Sequence, residues 1–420
     1  MEGDVLHWWH EITRFGLRSR YKDDYLWLIY ATSEYCKITE DYKILDEKIP
    51  FVNGQLLADW EEERGMAYNY TKEEATLYDH CLIAINHSMY KMGENGLPLM
   101  GGGDWNDGMN KVGIKGKGTS VWLGFFQYAI INRFIEITKK YNKKLSVDKY
   151  IKFNEKLKNT LNTVAWDGEY YLRAFFDNGA KLGSKTNDEC RIDLISQSFS
   201  ILTDIVPKDR IQSVIDSVEN NLVDKKLGII KLIDPPFKKT KNSPGYIMDY
   251  PPGIRENGGQ YTHAASWYIM ALIRAGLTDR AFNYFQMINP INRSIEKQYE
   301  DIYKVEPYVI AADIYSNNNH PGRGGWTWYT GSAAWFYRLG ISEILGFNKR
   351  GNKIYMNPHV PNKWNKFEIE YKYLDTTYKI KINMNNSKEC ITLDGEVLDK
   401  DYFVIKNDKR VHAVVIYRKR

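Results

Sequence analysis

Gly101-Gly102-Gly103-Asp104-Trp105-Asn106-Asp107-Gly108-Met109-Asn110 lies between two stretches of helical periodicity, and the reading of the whole chain turns on it. An aromatic ring stands between two carboxylates on a glycine-flanked turn, where no regular helix or strand persists. Upstream, the spacing predicts a helix from Thr71, with Glu74 completing a capping box, Tyr78, Leu82, Ile85 and Met89 on one face, and a stop at Gly93. Downstream, Trp122, Phe126, Ile130, Phe134, Ile137 and Tyr141 recur at helical spacing over 119–141, a stripe that reads as core. The polar turn is therefore a loop between helices, the place where a helical scaffold carries chemistry.

The same grammar repeats outward. Asp23 and Asp24 are placed to cap a helix running to Lys37, and Tyr150, Phe153, Leu157 and Leu161 mark another from Ser146. Tyr170 to Phe176 reads as a short hairpin turning at Asp177-Asn178-Gly179, and helices are expected near 191–205, 208–221, 260–275, 278–288 and 332–345. Two further glycine-rich polar loops, Pro251 to His263 and Pro321 to Ser332, each open onto one of these helices. Beyond about residue 350 the pattern changes to period two, in Phe367 to Tyr371, Tyr378 to Ile382 and Val411 to Val415, with a turn at Asp394-Gly395. A helical unit over 1–348 followed by a small β domain over 349–420 is expected, each packing separately.

Composition narrows the function. Basic and acidic residues, 58 against 53, give a net charge of +5 and are mixed along the chain, which excludes a dedicated nucleic-acid surface. No apolar run approaches the roughly 20 residues that span a bilayer, and Met1-Glu2-Gly3-Asp4 lacks a signal-peptide pattern, so a cytoplasmic protein without a membrane segment is expected. Cys36, Cys81, Cys190 and Cys390 form no CxxC pair, which points away from zinc and from a disulfide framework. In His7-Trp8-Trp9-His10 the two histidines lack an acidic partner at a familiar spacing and read as loop or pocket-wall residues, not as a metal pair. The 12 Trp and 31 Tyr suit both a large helical core and the stacking of sugar rings.

Three loops of one type converging on a pocket would supply a specific chemistry. Cleaving a glycosidic bond requires a proton for the leaving oxygen and a nucleophile on the opposite face; hydrolysis with inversion adds a second carboxylate to activate water. Inorganic phosphate is already anionic and needs a binding site instead. Thr330-Gly331-Ser332 offers backbone N–H groups and hydroxyls at a helix start, and His263 and Arg18 are candidate charge-assisted donors. Asp107, kept protonated by its surroundings, is the candidate acid, with Asp104 as a support for the turn. The structural alternatives are a helix cap at Thr330 and Ser332, a satisfied core histidine at 263, and turn hydrogen bonds at Asp104 and Asp107. A single Arg-Gly-Gly at 323–325 does not make an RNA-binding segment.

GDWNDGMN at 103–110, PPGIRENGGQYTHAASW at 251–267 and GRGGWTWYTGSAAW at 322–335 resemble the inverting glycoside phosphorylases of glycoside hydrolase family 94, over about His7 to Phe347. HWWH at 7–10, KDDYLWL at 22–28, GLPLMGGGDWNDGMN at 96–110, SVWLGFF at 120–126, ECRID at 189–193 and KVEPYVIAADIYS at 304–316 look most like the C-terminal phosphorylase-type domain of cyclic β-1,2-glucan synthases. Cellobiose phosphorylase and 1,2-β-oligoglucan phosphorylase are close relatives within the resemblance. It implies an (α/α)6 barrel, incomplete at its N-terminus, followed by a β jelly-roll, with Asp107 as general acid. It further implies Asp24, Trp105 and Glu256 as sugar ligands, and Arg18, His263, Thr330 and Gly331 as the phosphate site. The implied reaction releases α-glucose 1-phosphate from a β-1,2-glucan or cellobiose-type substrate, with phosphate as co-substrate and no metal or organic cofactor. The alternatives are an inverting hydrolase using Glu256 as base, and an inactive carbohydrate-binding remnant. Family members carry an additional N-terminal portion, so the chain is expected to be the C-terminal part of a longer enzyme, with the missing portion as partner and homodimerisation left open.

Overall fold

A computed structural model of the chain describes residues 3–58 and 60–419; Met1 and Glu2, used in the N-terminal reading, lie outside them. Ten α-helices are found among the described residues: α1 (Asp24–Thr39), α2 (Leu77–Tyr90), α3 (Val121–Tyr141), α4 (Asp148–Thr163), α5 (Leu194–Leu202), α6 (Ile211–Asn221), α7 (Thr262–Arg274), α8 (Thr278–Ile288), α9 (Lys297–Tyr303) and α10 (Ser332–Arg338). They pack in an alternating series. α1 lies against α3, α3 against α5, α5 against α7 and α7 against α10, while α2 backs α1 and α3, and α4, α6 and α8 back α3, α5 and α7 in turn.

Burial explains the two layers. Every residue of α5 except Leu202 is buried, and so is every residue of α7 except His263 and Arg274. A helix buried on all sides has neighbours on all sides. In α4, α6 and α8 only one face is buried, so these form the outer row. The inner run encloses a cavity of about 920 Å³ between Trp27, Phe126, Trp267 and Trp335. Arg338 of α10 reaches across to Glu34 of α1 at 3.0 Å and to the Tyr30 hydroxyl at 2.7 Å. Among the described residues no helix is long and apolar enough to cross a membrane.

Several local expectations change. Residues 69–76 form a strand paired with Lys48–Asn53, not the first turn of a helix, and α2 begins after Thr76. The capping pattern recurs one turn later: the Thr76 hydroxyl accepts from the Asp79 amide at 3.0 Å. Thr71 and Glu74 have the right spacing, but the apolar periodicity they were to introduce starts only at Leu77. Asp23 precedes α1 without capping it; its carboxylate accepts from the Trp27 indole at 2.8 Å instead. The helix expected over 332–345 divides into α10 and a π turn at Leu339–Ile344. An N-terminal antiparallel sheet of Trp8–His10, Phe15–Ser19 and Glu63–Ala67 was not legible. The hairpin expected from Tyr170 forms around its turn at 177–179 but with two-residue strands only, Ala174–Phe175 and Lys181–Leu182.

The tail holds two sheets, neither closed. One orders the strands Lys366–Tyr373, Thr376–Asn383, Val411–Tyr417, Cys390–Leu393 and Glu396–Leu398; the other joins Phe347–Arg350, Lys353–Met356 and Tyr402–Val404. The period-two pattern is visible in the burial: alternate residues of Thr376–Asn383 are buried. Tyr378 of the larger sheet meets Phe403 of the smaller at 5.8 Å between ring centres. One apolar core runs from the helices into this tail. The boundary expected at 348/349 falls within the strand Phe347–Arg350.

Candidate active site

The loop at 101–110 is held from below. Gly103 has φ +143°, and a Cβ there would sit 2.6 Å from the Tyr21 ring, so this position requires glycine. Asp104 is fully buried and bound by both arms of Arg173, at 2.6 and 2.8 Å, with the Ser120 hydroxyl donating at 2.6 Å. The Arg173 Nε also lies 3.3 Å from Asp193, which caps α5. This carboxylate is a strut, as the sequence reading held.

Asp107, three residues on, begins a single 3-10 turn and faces outward. Its side chain keeps 39% of its surface open, yet the atoms crowded around it push its pKa up to about 7; desolvation is the largest cause, Asp24, Asp104 and Glu256 add to it, and His7 opposes them. A carboxylic acid half-protonated near neutrality is what general acid chemistry needs. His7 Nε2 lies 3.7 Å from the Asp107 carboxylate, at ion-pair distance. Beside Asp107, both amide atoms of buried Asn106 have no hydrogen-bond partner among the described residues.

Trp105 brings the first two loops together. Its ring meets His263 edge-on at 5.2 Å and Tyr261 at 5.5 Å, and lies 5.1 Å from Trp267. In the second loop Asn257 is fully buried and donates to the carbonyls of Phe237 and Tyr250, which fixes the backbone on either side of Arg255 and Glu256. Asp313 ties the second loop to the third: it accepts from the Arg255 amide at 3.1 Å and from the Trp326 amide at 3.0 Å. A Cβ on Gly325 would lie 2.3 Å from that carboxylate, so the third loop passes Asp313 only as glycine.

The second and third loops meet at a cavity of about 350 Å³ lined by Arg255, Tyr261, His263, Asp313, Thr330 and Gly331, with Trp326 and Tyr329 at its rim, and the first loop backs it through Trp105, whose ring packs on Tyr261 and His263. Burial lowers the His263 pKa to about 3, leaving a neutral imidazole, and its Nε2 is shut off from solvent with no partner among the described residues. Such an atom costs stability unless a ligand meets it. Gly331 lies against the same ring, a Cβ there falling 3.4 Å from His263 Cε1. Thr330 and Ser332 bond each other through their hydroxyls, and the Thr330 hydroxyl accepts from the Ser332 amide at 3.2 Å. The larger cavity between the helices is lined by none of the predicted site residues.

Of the predicted residues, His263, Thr330 and Gly331 line this cavity, Trp105 stands behind it against the His263 ring, and Glu256 adjoins through Arg255 at 3.4 Å. Burial also raises the Glu256 pKa. Asp24 stands on the Asp107 side, accepting from His7 at 3.0 Å and from Ser19 at 2.9 Å. Arg18 is not gathered: its guanidinium is held by Asp4 at 2.7 Å and by the Gln55 carbonyl. The arginine that lines the cavity is Arg255, which sequence reasoning passed over together with Asn106, Asp313 and Arg173. Among the described residues no three or more His, Cys, Asp or Glu converge on a metal-binding arrangement, and all four cysteines are free.

The chain belongs to the glycosyl hydrolase 94 superfamily, whose catalytic-domain model matches residues 4–346. More particularly, it is similar to the cyclic beta-(1,2)-glucan synthase NdvB of Rhizobium meliloti (strain 1021), 43% identical over 92% of this chain and 14% of that protein. It is also similar to solabiose phosphorylase of Paenibacillus borealis, 29% identical over 94% of this chain and 49% of the enzyme. The chain thus spans half or less of these relatives. Among solved structures, a GH78 family rhamnosidase of Bacillus sp. GL1 shares the fold with a TM-score of 0.53 at 13% identity, over 96% of this chain and 35% of that one.

Proposed function

We propose that this chain carries the catalytic machinery of an inverting glycoside phosphorylase acting on β-glucosides, with β-1,2-glucan or cellobiose-type oligosaccharides as substrates. Asp107 donates its proton to the glycosidic oxygen, the C1–O bond breaks with its electrons going to that oxygen, and a phosphate oxygen bonds C1 from the opposite face. The products are α-glucose 1-phosphate and a shortened acceptor. The observation that carries this reading is one poised acid, Asp107, on the loop whose Trp105 packs against His263, in the wall of a cavity that Arg255, His263 and Thr330 line together. A doubly charged oxyanion of four oxygens suits such donors.

In this reading Trp105 is the platform beneath the sugar, Asp24 and Glu256 bind its hydroxyls, and Gly331 leaves room beside His263. Arg18 joins as a phosphate ligand only by exchanging Asp4 for the anion. The alternating helices are the incomplete part of an (α/α)6 barrel over 1–348, completed by a preceding portion of the enzyme, and 349–420 is a jelly-roll. A cytoplasmic setting, a homodimer and the lack of a metal or organic cofactor belong to the same reading.

The test is release of glucose 1-phosphate from β-1,2-gluco-oligosaccharides or cellobiose in phosphate buffer. Asp107→Asn should lower kcat by about 100- to 10,000-fold. Free glucose formed without phosphate would replace the reading with an inverting hydrolase using Glu256 as base. Saturable oligosaccharide binding with no turnover would replace it with a carbohydrate-binding remnant.

A further inference from the structure

The HWWH segment at 7–10 is left unused by the reaction as written, yet its first histidine touches the reacting centre. The His7 amide donates to the Leu17 carbonyl at 2.8 Å, which locks the backbone to the N-terminal sheet, and its ring leans on Tyr21 at 4.9 Å between centroids. Nδ1 donates to Asp24 at 3.0 Å, and Asp24 is fixed in turn by the Ser19 hydroxyl at 2.9 Å. That leaves Nε2 directed at the Asp107 carboxylate, 3.7 Å away.

We propose that His7 is a positioning residue for the acid: an imidazolium anchored on Asp24 that faces Asp107 and sets both the direction and the strength of its proton. The proposal rests on Asp107 being the acid.

The surroundings make the charge consequential. Asp23 and Asp24 at the start of α1 face His7 along with Asp107, and the hydrogen bond that His7 donates to Asp24 does most to raise the His7 pKa, to about 9. Asp107 faces Asp24, Asp104 and Glu256, all acidic, and it acts on the phenols of Tyr21 and Tyr246 as their chief charged neighbour. Against that acidic company His7 is the opposing charge. When Asp107 gives its proton to the glycosidic oxygen, the carboxylate left behind faces the imidazolium. The conjugate base is stabilised without moving any group.

Two variants separate charge from shape. His7→Asn keeps an amide donor for Asp24 and removes the charge; His7→Arg keeps the charge. In the full chain labelled with 13C at aspartate carboxyls, and with Asp107→Asn assigning the resonance, His7→Asn should raise the Asp107 midpoint by about 1 to 2 pH units, while His7→Arg leaves it near the wild-type value. Activity requires the protonated acid, so the alkaline limb of kcat/KM should move up by a similar amount as the plateau falls. A merely structural role lowers the plateau and leaves the limb in place; that result, or an unmoved carboxyl midpoint, overturns the proposal. If His7→Asn fails to fold, 15N spectra of the unmodified chain decide: His7 should stay an imidazolium above pH 7, and a neutral ring there overturns it. The NMR midpoints are read without turnover, so a chain that makes no glucose 1-phosphate refutes the phosphorylase reading and still tests this one.

Discussion

At the scale of single residues, the charged groups divide into those that hold and those that wait. Asp104 and Arg173 are both wholly buried and answer each other in two hydrogen bonds. Removing one partner of such a pair strands the other in a dry interior. Arg173→Met should therefore destabilise the fold by about 3–5 kcal/mol in denaturant titrations, and adding Asp104→Asn should restore part of the loss. Arg255, His263 and Thr330 instead line a cavity, and the His263 Nε2 has no partner among the described residues. Arg255→Met should raise the KM for phosphate by about 10- to 100-fold, more than the KM for oligosaccharide, as expected on losing a hydrogen bond to a charged ligand. Initial rates with phosphate varied at saturating oligosaccharide read this directly. His263, Thr330 and Gly331 stood out in the sequence because each lies in a glycine-rich loop that opens onto a helix, two loops that the structure brings to one cavity. Arg255, Asp313 and Arg173 were not, since each matters through a partner dozens of residues away in the chain.

At the scale of elements, helices announced themselves through the 3.6-residue period, and their ends did not. The strand Asn69–Thr76 carries residues that imitate a helix start, and only its pairing with Lys48–Asn53 decides the matter. Thr76 is the cap in the structure, so Thr76→Ala should cost about 1 kcal/mol, whereas Thr71→Ala should cost little by the same thermal melts. The short N-terminal strands gave no alternating apolar signal, because their burial is patchy on both faces. In the tail, His412 of the strand Val411–Tyr417 is almost wholly buried between Asp394 at 2.6 Å and Asp408 at 3.0 Å, and these contacts raise its pKa. A histidine held charged by folding stabilises fully below its unfolded pKa of about 6.5 and loses that contribution as pH rises through its folded value. The His412 bonds hold the Asp394 carboxyl below the usual carboxylate range, so that contribution is lost as pH falls through the acid range. His412→Gln should flatten the fall in melting temperature above about pH 6.5.

At the scale of the molecule, the sequence pattern implies two packing units, while the contacts across residue 348 imply one. The Gly351 amide donates to the Ile38 carbonyl at the end of α1 at 2.8 Å, and Lys353 pairs with Glu40 at 3.1 Å. Further on, Trp364 packs edge-on against Phe282 of α8 at 5.4 Å, and the Asn362 amide donates to Asp279 at 2.7 Å. The tail thereby ties the end of α1 in the inner run to α8 in the outer row, and a single core continues through the junction. Period-two patterning reports which face of a strand is buried but not what buries it, so this dependence could not be read in advance. Units that share a core unfold together. Calorimetry of the full chain should give one transition, with the calorimetric and van't Hoff enthalpies in agreement. Truncation after Leu345 should expose Phe282 and the end of α1, binding a hydrophobic dye and losing the cooperative melt. Two resolved transitions, or a truncated chain that melts as sharply as the whole, would show that the helical unit stands without its tail.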